Sequence, residues 1–144
     1  MDKHELTELL CRVADGSVSP DEAALRLKMQ PFEEIGEYAK VDMHRGIRQG
    51  VPEVIYGAGK TKEQILGIAR TMLQNGQQTV LITRLCREAA DFVAAELPLE
   101  YHEIAKIGII GGMPEKSGRG RIVVATGGTS DMPVAEEAAL TAEA

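Results

Sequence analysis

The residues of this chain best suited to chemistry lie in the tract Thr126-Gly127-Gly128-Thr129-Ser130-Asp131-Met132-Pro133. They follow the apolar run Arg121 to Ala125 and precede a segment rich in Ala and Glu. Glycines after a buried strand let the backbone turn tightly and approach a ligand, and free N–H groups at a helix start point at whatever sits there. An anion suits that place. Thr129 and Ser130 offer hydroxyl donors to a phosphate, and Asp131 could bind a hydroxyl or move a proton. The plainer alternative is that Ser130 or Asp131 only caps the helix that Pro133 opens, with Glu136 or Glu137 completing the cap.

Two further tracts carry suitable side chains. Gly57-Ala58-Gly59-Lys60-Thr61 ends as a phosphate-binding P-loop ends. That loop needs a glycine five places before Gly59, and Val54 stands there, so the wrap of backbone donors is missing. Nucleotide hydrolysis is not expected. Thr61 then reads as a helix cap, with Lys60 free to contact an anion. In the tract from Asp42 to Glu53, Arg45 and Arg48 are three apart, so on a helical turn both guanidinium groups would share one side. They could fork onto a phosphate or carboxylate, or pair with Asp42 or Glu53 and serve only as structure. His4, His44 and His102 have no partners at metal-ligand spacing, so no metal site is expected. Cys11 and Cys86 are too few and too far apart for a disulfide framework or a zinc site, and each reads as a small buried hydrophobe in a helical pattern.

The elements that must position these tracts can be read from periodicity. Leu6, Leu9, Leu10 and Val13 form an apolar stripe on a short helix that Gly16 ends. Ser19-Pro20-Asp21-Glu22 caps a second helix with Ala24, Leu25 and Leu27 inward. Val54 to Tyr56 reads as a buried strand, and Thr61 to Gln64 as a capping box for a helix that Asn75-Gly76 closes. Thr79 to Thr83 is β-branched and apolar, hence a central strand. Arg84 to Leu97 follows as a helix with Leu85, Ala89, Phe92, Val93 and Leu97 inward, and Pro98 stops it. Strand, helix, strand, helix implies parallel strands. Glu100 to Glu103 could add a third short strand. The glycine-rich stretch from Gly111 to Gly120 is the strongest loop signal, and Arg121 to Ala125 reads as another buried strand.

The expected organisation is therefore a helical pair over residues 1–30, a small α/β domain over 31–117, and a strand-turn-helix over 118–144 that opens a further parallel-sheet domain. One parallel strand and one helix cannot bury both their faces, so residue 144 reads as a point inside a domain. Ile122 to Val124 would then be exposed and prone to aggregate.

Composition narrows the function. A net charge of −6 with no basic cluster on one face gives no nucleic-acid footprint. No apolar run approaches the roughly 20 residues that span a bilayer, and Met1 to Gly16 is too polar for a signal peptide, so a cytoplasmic protein with no membrane partner is expected.

Two of these tracts together resemble the LarB family of nickel-pincer-cofactor biosynthesis enzymes. Asp42-Met43-His44-Arg45, Arg48, Gly50, Pro52 to Tyr56 and Gly59-Lys60-Thr61 are similar to the signature of its N-terminal region. Gly128 to Ala138 with Thr141-Ala142-Glu143 resembles the start of its catalytic domain, and also the turn that opens aminoimidazole ribonucleotide carboxylases, the PurE-like fold. The resemblance implies an α/β fold continuing into a flavodoxin-like, PurE-like domain. It implies carboxylation of the pyridinium ring of nicotinic acid adenine dinucleotide with carbon dioxide or bicarbonate as co-substrate. Hydrolysis of the phosphoanhydride would accompany it, yielding pyridinium-3,5-biscarboxylic acid mononucleotide and AMP. No covalently bound cofactor is implied, and magnesium is left open.

A cationic pyridinium becomes nucleophilic toward carbon dioxide only after a neighbour such as a thiolate adds to it. In the family that cysteine belongs to the catalytic domain beyond this motif, so neither Cys11 nor Cys86 takes the role. Asp131 would be catalytic, with Gly128, Thr129 and Ser130 lining the ribose-phosphate and carboxylate region. Arg45, Arg48 and Lys60 would contact the substrate or a neighbouring subunit. The complete protein would be a homo-oligomer, which residues 1–144 alone would not build. The competing expectations are a noncatalytic α/β binding module, in which the turn is only a cap, and a purine-pathway carboxylase-like protein.

Overall fold

The computed structural model describes residues 3–27, 32–35, 38–42, 45, 53–114 and 120–144. The chain divides into two compact units, Met1–Glu53 and Val54–Ala144.

In the first unit, α1 (Lys3–Ala14) and α2 (Pro20–Leu27) form the expected pair. Gly16, at φ 79°, takes the left-handed turn that ends α1, and the Val18 amide then returns to the Arg12 carbonyl at 3.0 Å. Ser19 caps α2 by accepting from the Glu22 amide at 3.1 Å. Leu9, Val18 and Ala23 make the small core, flanked by Val13 and Leu27. Leu10 and Leu25 were expected inward and are instead 53% and 69% exposed. Two short helices share only one narrow seam, and residues one position off it are rotated about 100° away. Ala23 rather than Ala24 takes the inner position for the same reason. The unit also holds a β-hairpin without a sequence forecast, β1 (Phe32–Ile35) with β2 (Ala39–Asp42), in which Val41 is buried.

The second unit is α/β. Its sheet runs β3 (Ile55–Tyr56), β4 (Val80–Thr83), β6 (Ile107–Ile110), β5 (Leu99–His102) in spatial order. β3 and β4 are parallel, joined through α3 (Lys62–Gln74) as anticipated. β5 and β6 form an antiparallel hairpin that places β6 in the middle of the sheet, so the sheet is mixed. All four residues of β6 are buried. Gly108 makes that possible, since a Cβ there would stand 2.6 Å from Leu85 Cδ2 and 2.8 Å from Leu99 Cδ1.

Side chains alternate across the sheet. Val80, Ile82 and Ile110 share one face, against which α3 and α4 (Arg87–Ala94) supply Ile65, Ile68, Met72, Ala89 and Val93. Leu81, Ile107 and Ile109 occupy the other face, where Leu140 of α5 (Met132–Glu143) and Ala144 just beyond it pack with Val54 and Met113. α4 begins at Arg87 rather than Arg84. Arg84 takes a positive φ of 54°, and the Leu85 amide bonds to Lys106 at 2.8 Å, which drives Leu85 into the core before the helix starts.

Three sequence expectations need correction here. Tyr56 is 58% exposed, so of the expected buried strand Ile55 is fully inside and Val54 partly buried against the core. Arg121 to Ala125 forms no strand: Ile122 and Val123 are 76% and 84% exposed. An apolar run becomes a buried strand only beside neighbours that pair with it, and no described residue does so. Cys11 and Cys86 are exposed, Cys11 on the solvent side of α1 and Cys86 at the start of α4, off the packed faces.

Candidate functional site

The turn from Gly128 to Asp131 forms a single 3-10 turn, Thr129–Asp131, that runs directly into α5. The Asp131 amide donates to the Gly128 carbonyl at 3.2 Å. Asp131 holds a right-handed helical conformation and makes no side-chain capping bond, and Glu137 points elsewhere, to Arg84. The cap that the sequence offered as the plainer alternative is therefore absent, which leaves the Asp131 carboxylate uncommitted to the helix start. Gly128 organises the polar atoms. The position its Cβ would occupy lies 3.6 Å from Asp131 Oδ2 and 3.7 Å from Ser130 Oγ. A hydroxyl and a carboxylate thus converge over one bare stretch of backbone, the pair needed to donate to one oxygen while accepting a proton from another. Gly128, Thr129, Ser130 and Asp131 are all exposed.

The Gly57–Thr61 tract sits at the carboxyl end of β3, next to β4. Gly59 takes a φ of 78°, and the Lys60 amide closes a turn onto the Gly57 carbonyl at 3.1 Å. Thr61 caps α3 in a full capping box with Gln64: its hydroxyl accepts from the Gln64 amide at 3.3 Å, and its own amide donates to Gln64 Oε1 at 3.0 Å. The Thr61 and Gln64 amides are thereby engaged by protein groups rather than open to a phosphate. Lys60 is half-buried.

Arg45 belongs to the first unit, where its Nη1 meets Glu53 Oε1 at 2.7 Å, the structural pairing that the sequence offered as an alternative. Its Nε is buried with no hydrogen-bond partner among the described residues. Arg48 lies outside the described residues.

Lys62 donates to Glu88 at 2.8 Å, and that hydrogen bond with its attendant charge raises the ammonium above its ordinary value. The Glu63 carboxyl is held low by its own backbone N–H and by the Thr61 hydroxyl, as suits a carboxylate in the first turn of a helix. Burial raises the Tyr101 hydroxyl, which donates to the Leu85 carbonyl at 3.0 Å. His102 Nε2 lies 3.3 Å from Glu100 Oε1 without hydrogen-bond geometry.

Sequence reasoning missed Arg84, whose Nη2 pairs with Glu137 Oε2 at 2.9 Å and ties the helix of the candidate turn to the end of β4. Neither residue carries a local signal for this contact. Gly57 was read only as part of a failed P-loop, yet β3 and β4 close together through its bare backbone.

Comparison with known proteins adds two findings. Residues 32–112 match the family described as LarB/PurE-like N-terminal domain. An uncharacterized protein of Methanocaldococcus jannaschii is 35% identical over 144 residues, an alignment covering 96% of this chain and 56% of that relative. The chain thus spans little more than half the length of the curated relative it matches. Among the described residues, no helix is long and apolar enough to cross a membrane.

Proposed function

From the premise that the chain belongs to the LarB/PurE-like N-terminal domain family, we propose that it is the N-terminal portion of a LarB-type carboxylase. The reaction is carboxylation of the pyridinium ring of nicotinic acid adenine dinucleotide, with phosphoanhydride hydrolysis releasing AMP. The product, pyridinium-3,5-biscarboxylic acid mononucleotide, would feed a nickel-pincer cofactor. Carbon dioxide or bicarbonate is the co-substrate. The observation that carries this reading is the convergence of Ser130 Oγ and Asp131 Oδ2 over Gly128, at the head of a helix.

In this reading the Gly128 backbone and the hydroxyls of Thr129 and Ser130 receive a substrate phosphate or carboxylate, while Asp131 accepts or returns a proton. Arg45, Arg48 and Lys60 are assigned to contacts with the substrate or a neighbouring subunit. The thiolate that would activate the ring is assigned to residues outside this chain, as is assembly of the homo-oligomer. A magnesium requirement is part of what the assay below resolves. The experiment is to supply the full-length protein that carries these residues with nicotinic acid adenine dinucleotide and bicarbonate, with and without magnesium, and follow AMP and the dicarboxylated mononucleotide by mass spectrometry. Persistence of the intact dinucleotide would overturn the reading.

A second reading, a noncatalytic binding module, draws on the Arg45–Glu53 ion pair, which gives that arginine a structural task without any ligand. It predicts binding of the dinucleotide without turnover, or neither.

A further inference from the structure

Basic side chains are unevenly spread over the second unit. Between residues 54 and 112 they are Lys60, Lys62, Arg84, Arg87 and Lys106 at one end of the sheet, and Arg70 away from it on α3. Lys60 and Lys62 follow β3, and Arg84 and Arg87 follow β4. Lys106 precedes β6, whose antiparallel register with β4 brings its first residue to the same end. Backbone hydrogen bonds tie the row together: the Gly57 amide donates to the Thr83 carbonyl at 2.7 Å, and the Leu85 amide to the Lys106 carbonyl at 2.8 Å. Two of the cations are neutralised locally, Lys62 by Glu88 and Arg87 by Asp91 and Glu103. Lys60 and Lys106 have no carboxylate partner among the described residues. Arg84, between them, gives Nη2 to Glu137 while its side chain stays 49% exposed.

The backbone marks two of these three. Among the described residues, Arg84 at φ 54° and Lys106 at φ 52° are the only non-glycine residues in the left-handed region. They are neighbours across β4 and β6, since the amide that bonds to Lys106 belongs to the residue after Arg84. In that region a Cβ crowds the following carbonyl, a penalty that glycine escapes. Elsewhere in the unit the chain fills such positions with glycine, at Gly59, Gly76, Gly111 and Gly112. The side chains of Arg84 and Lys106 are exposed, so packing gives no compensation for the strain. Strain kept at two adjacent points, each time under a cation, is the pattern of a site rather than of a scaffold.

We propose that Lys60, Arg84 and Lys106 form an anion-binding rim at the carboxyl end of β4, which takes a small molecule bearing two linked phosphates. Three strands carry the three cations, so the outer two stand two strand spacings apart, about 10 Å at the backbone. Their flexible stems reach inward to a diphosphate from both sides, with the planar guanidinium of Arg84 between them. A single phosphate would leave one lysine idle. A nucleic-acid strand calls for a basic track along its length, which a chain of net charge −6 with this one rim does not supply. The rim goes beyond the carboxylase reading, which uses neither Arg84 nor Lys106, and does not depend on it.

The test uses the full-length protein that carries these residues. It is titrated calorimetrically with inorganic pyrophosphate and with ADP at fixed ionic strength, and melted without ligand. Lys106→Gly should weaken pyrophosphate binding about tenfold, the low end for a hydrogen bond to a charged group, and leave the melting temperature equal to or above the parent's. Arg84→Gly should weaken binding similarly, and Lys106→Arg should retain it. Affinity falling while stability holds or rises separates a ligand contact from a structural one. ADP binding more tightly than pyrophosphate would support the rim as a nucleotide site, and equal binding would support it as a site for the phosphates alone. Undiminished affinity for both ligands in both glycine variants would overturn the rim. So would a lowered melting temperature in Lys106→Gly together with Lys106→Arg binding as weakly as glycine, which would make the side chain structural. None of these readings needs turnover, so a failure to carboxylate leaves the test standing.

Discussion

The amide of Gly57 donates to the carbonyl of Thr83 at 2.7 Å, and a Cβ on Gly57 would stand 2.9 Å from that same oxygen. The Arg84 carbonyl would be 3.2 Å away, so the obstruction is backbone on both sides. Gly57→Ala must therefore push β3 from β4 at the one place where the parallel pair continues into the α3 loop. We expect a loss of about 1–3 kcal/mol, the range for overpacking a closely fitted site. Denaturant unfolding checks this: the midpoint should fall with the slope unchanged. An unchanged midpoint would mean that the strand pair is looser than its geometry.

Thr61 holds the start of α3 through two reciprocal hydrogen bonds with Gln64. Thr61→Ala should cost about 1 kcal/mol, as is usual for losing a side-chain cap, and Thr61→Ser should restore most of it. If alanine and serine behave alike, the cap adds nothing to stability.

Much of this framework was legible in the sequence because its signals are local. Ser19, Thr61, Gly16 and Gly76 act within a few residues of themselves, and the caps and stops they announce all form. β6 was harder to recognise. Ile107 to Ile110 is a four-residue apolar run without alternation, and only its pairing with both β4 and β5 makes it a central strand. Ile122 to Val124 errs in the other direction, since the run looks buried but burial depends on neighbours that the run does not encode. The Gly128–Asp131 turn could be found from residue type and spacing, yet its expected cap could not be checked there. The partner that draws Glu137 away is Arg84, on a different element and turned outward by a backbone conformation with no sequence mark.

Stability should depend on pH at both extremes through exposed groups at helix starts and ends. Glu63 is held below its ordinary 4.5, and Asp15 below 3.8 by hydrogen bonds from Ser17. A lowered carboxyl binds its proton more readily in the unfolded chain, so its contribution is complete above the ordinary value and disappears as pH falls through the lowered one. Lys62, raised above 10.5 by Glu88, has the opposite sign: its contribution is complete below 10.5 and is lost as pH climbs through the raised value. Glu63→Gln should flatten the acid limb of a stability–pH curve, and Glu88→Gln the alkaline limb. Parallel curves for either variant and the parent would contradict the assignment.

Asp131→Asn keeps the size and the 3-10 turn but removes the proton acceptor beside Ser130 and Gly128. In the full-length protein it should cut carboxylation by at least about tenfold, the low end of general acid–base effects, with little change in melting temperature. Full activity in that variant would remove Asp131 from the reaction.

The most direct test of the central claim uses the full-length protein that carries these residues, incubated with nicotinic acid adenine dinucleotide and carbon-13 bicarbonate. The account predicts release of AMP together with a nicotinic acid mononucleotide that has gained one labelled carboxyl on its ring. Recovery of unlabelled, intact dinucleotide from folded protein would contradict it.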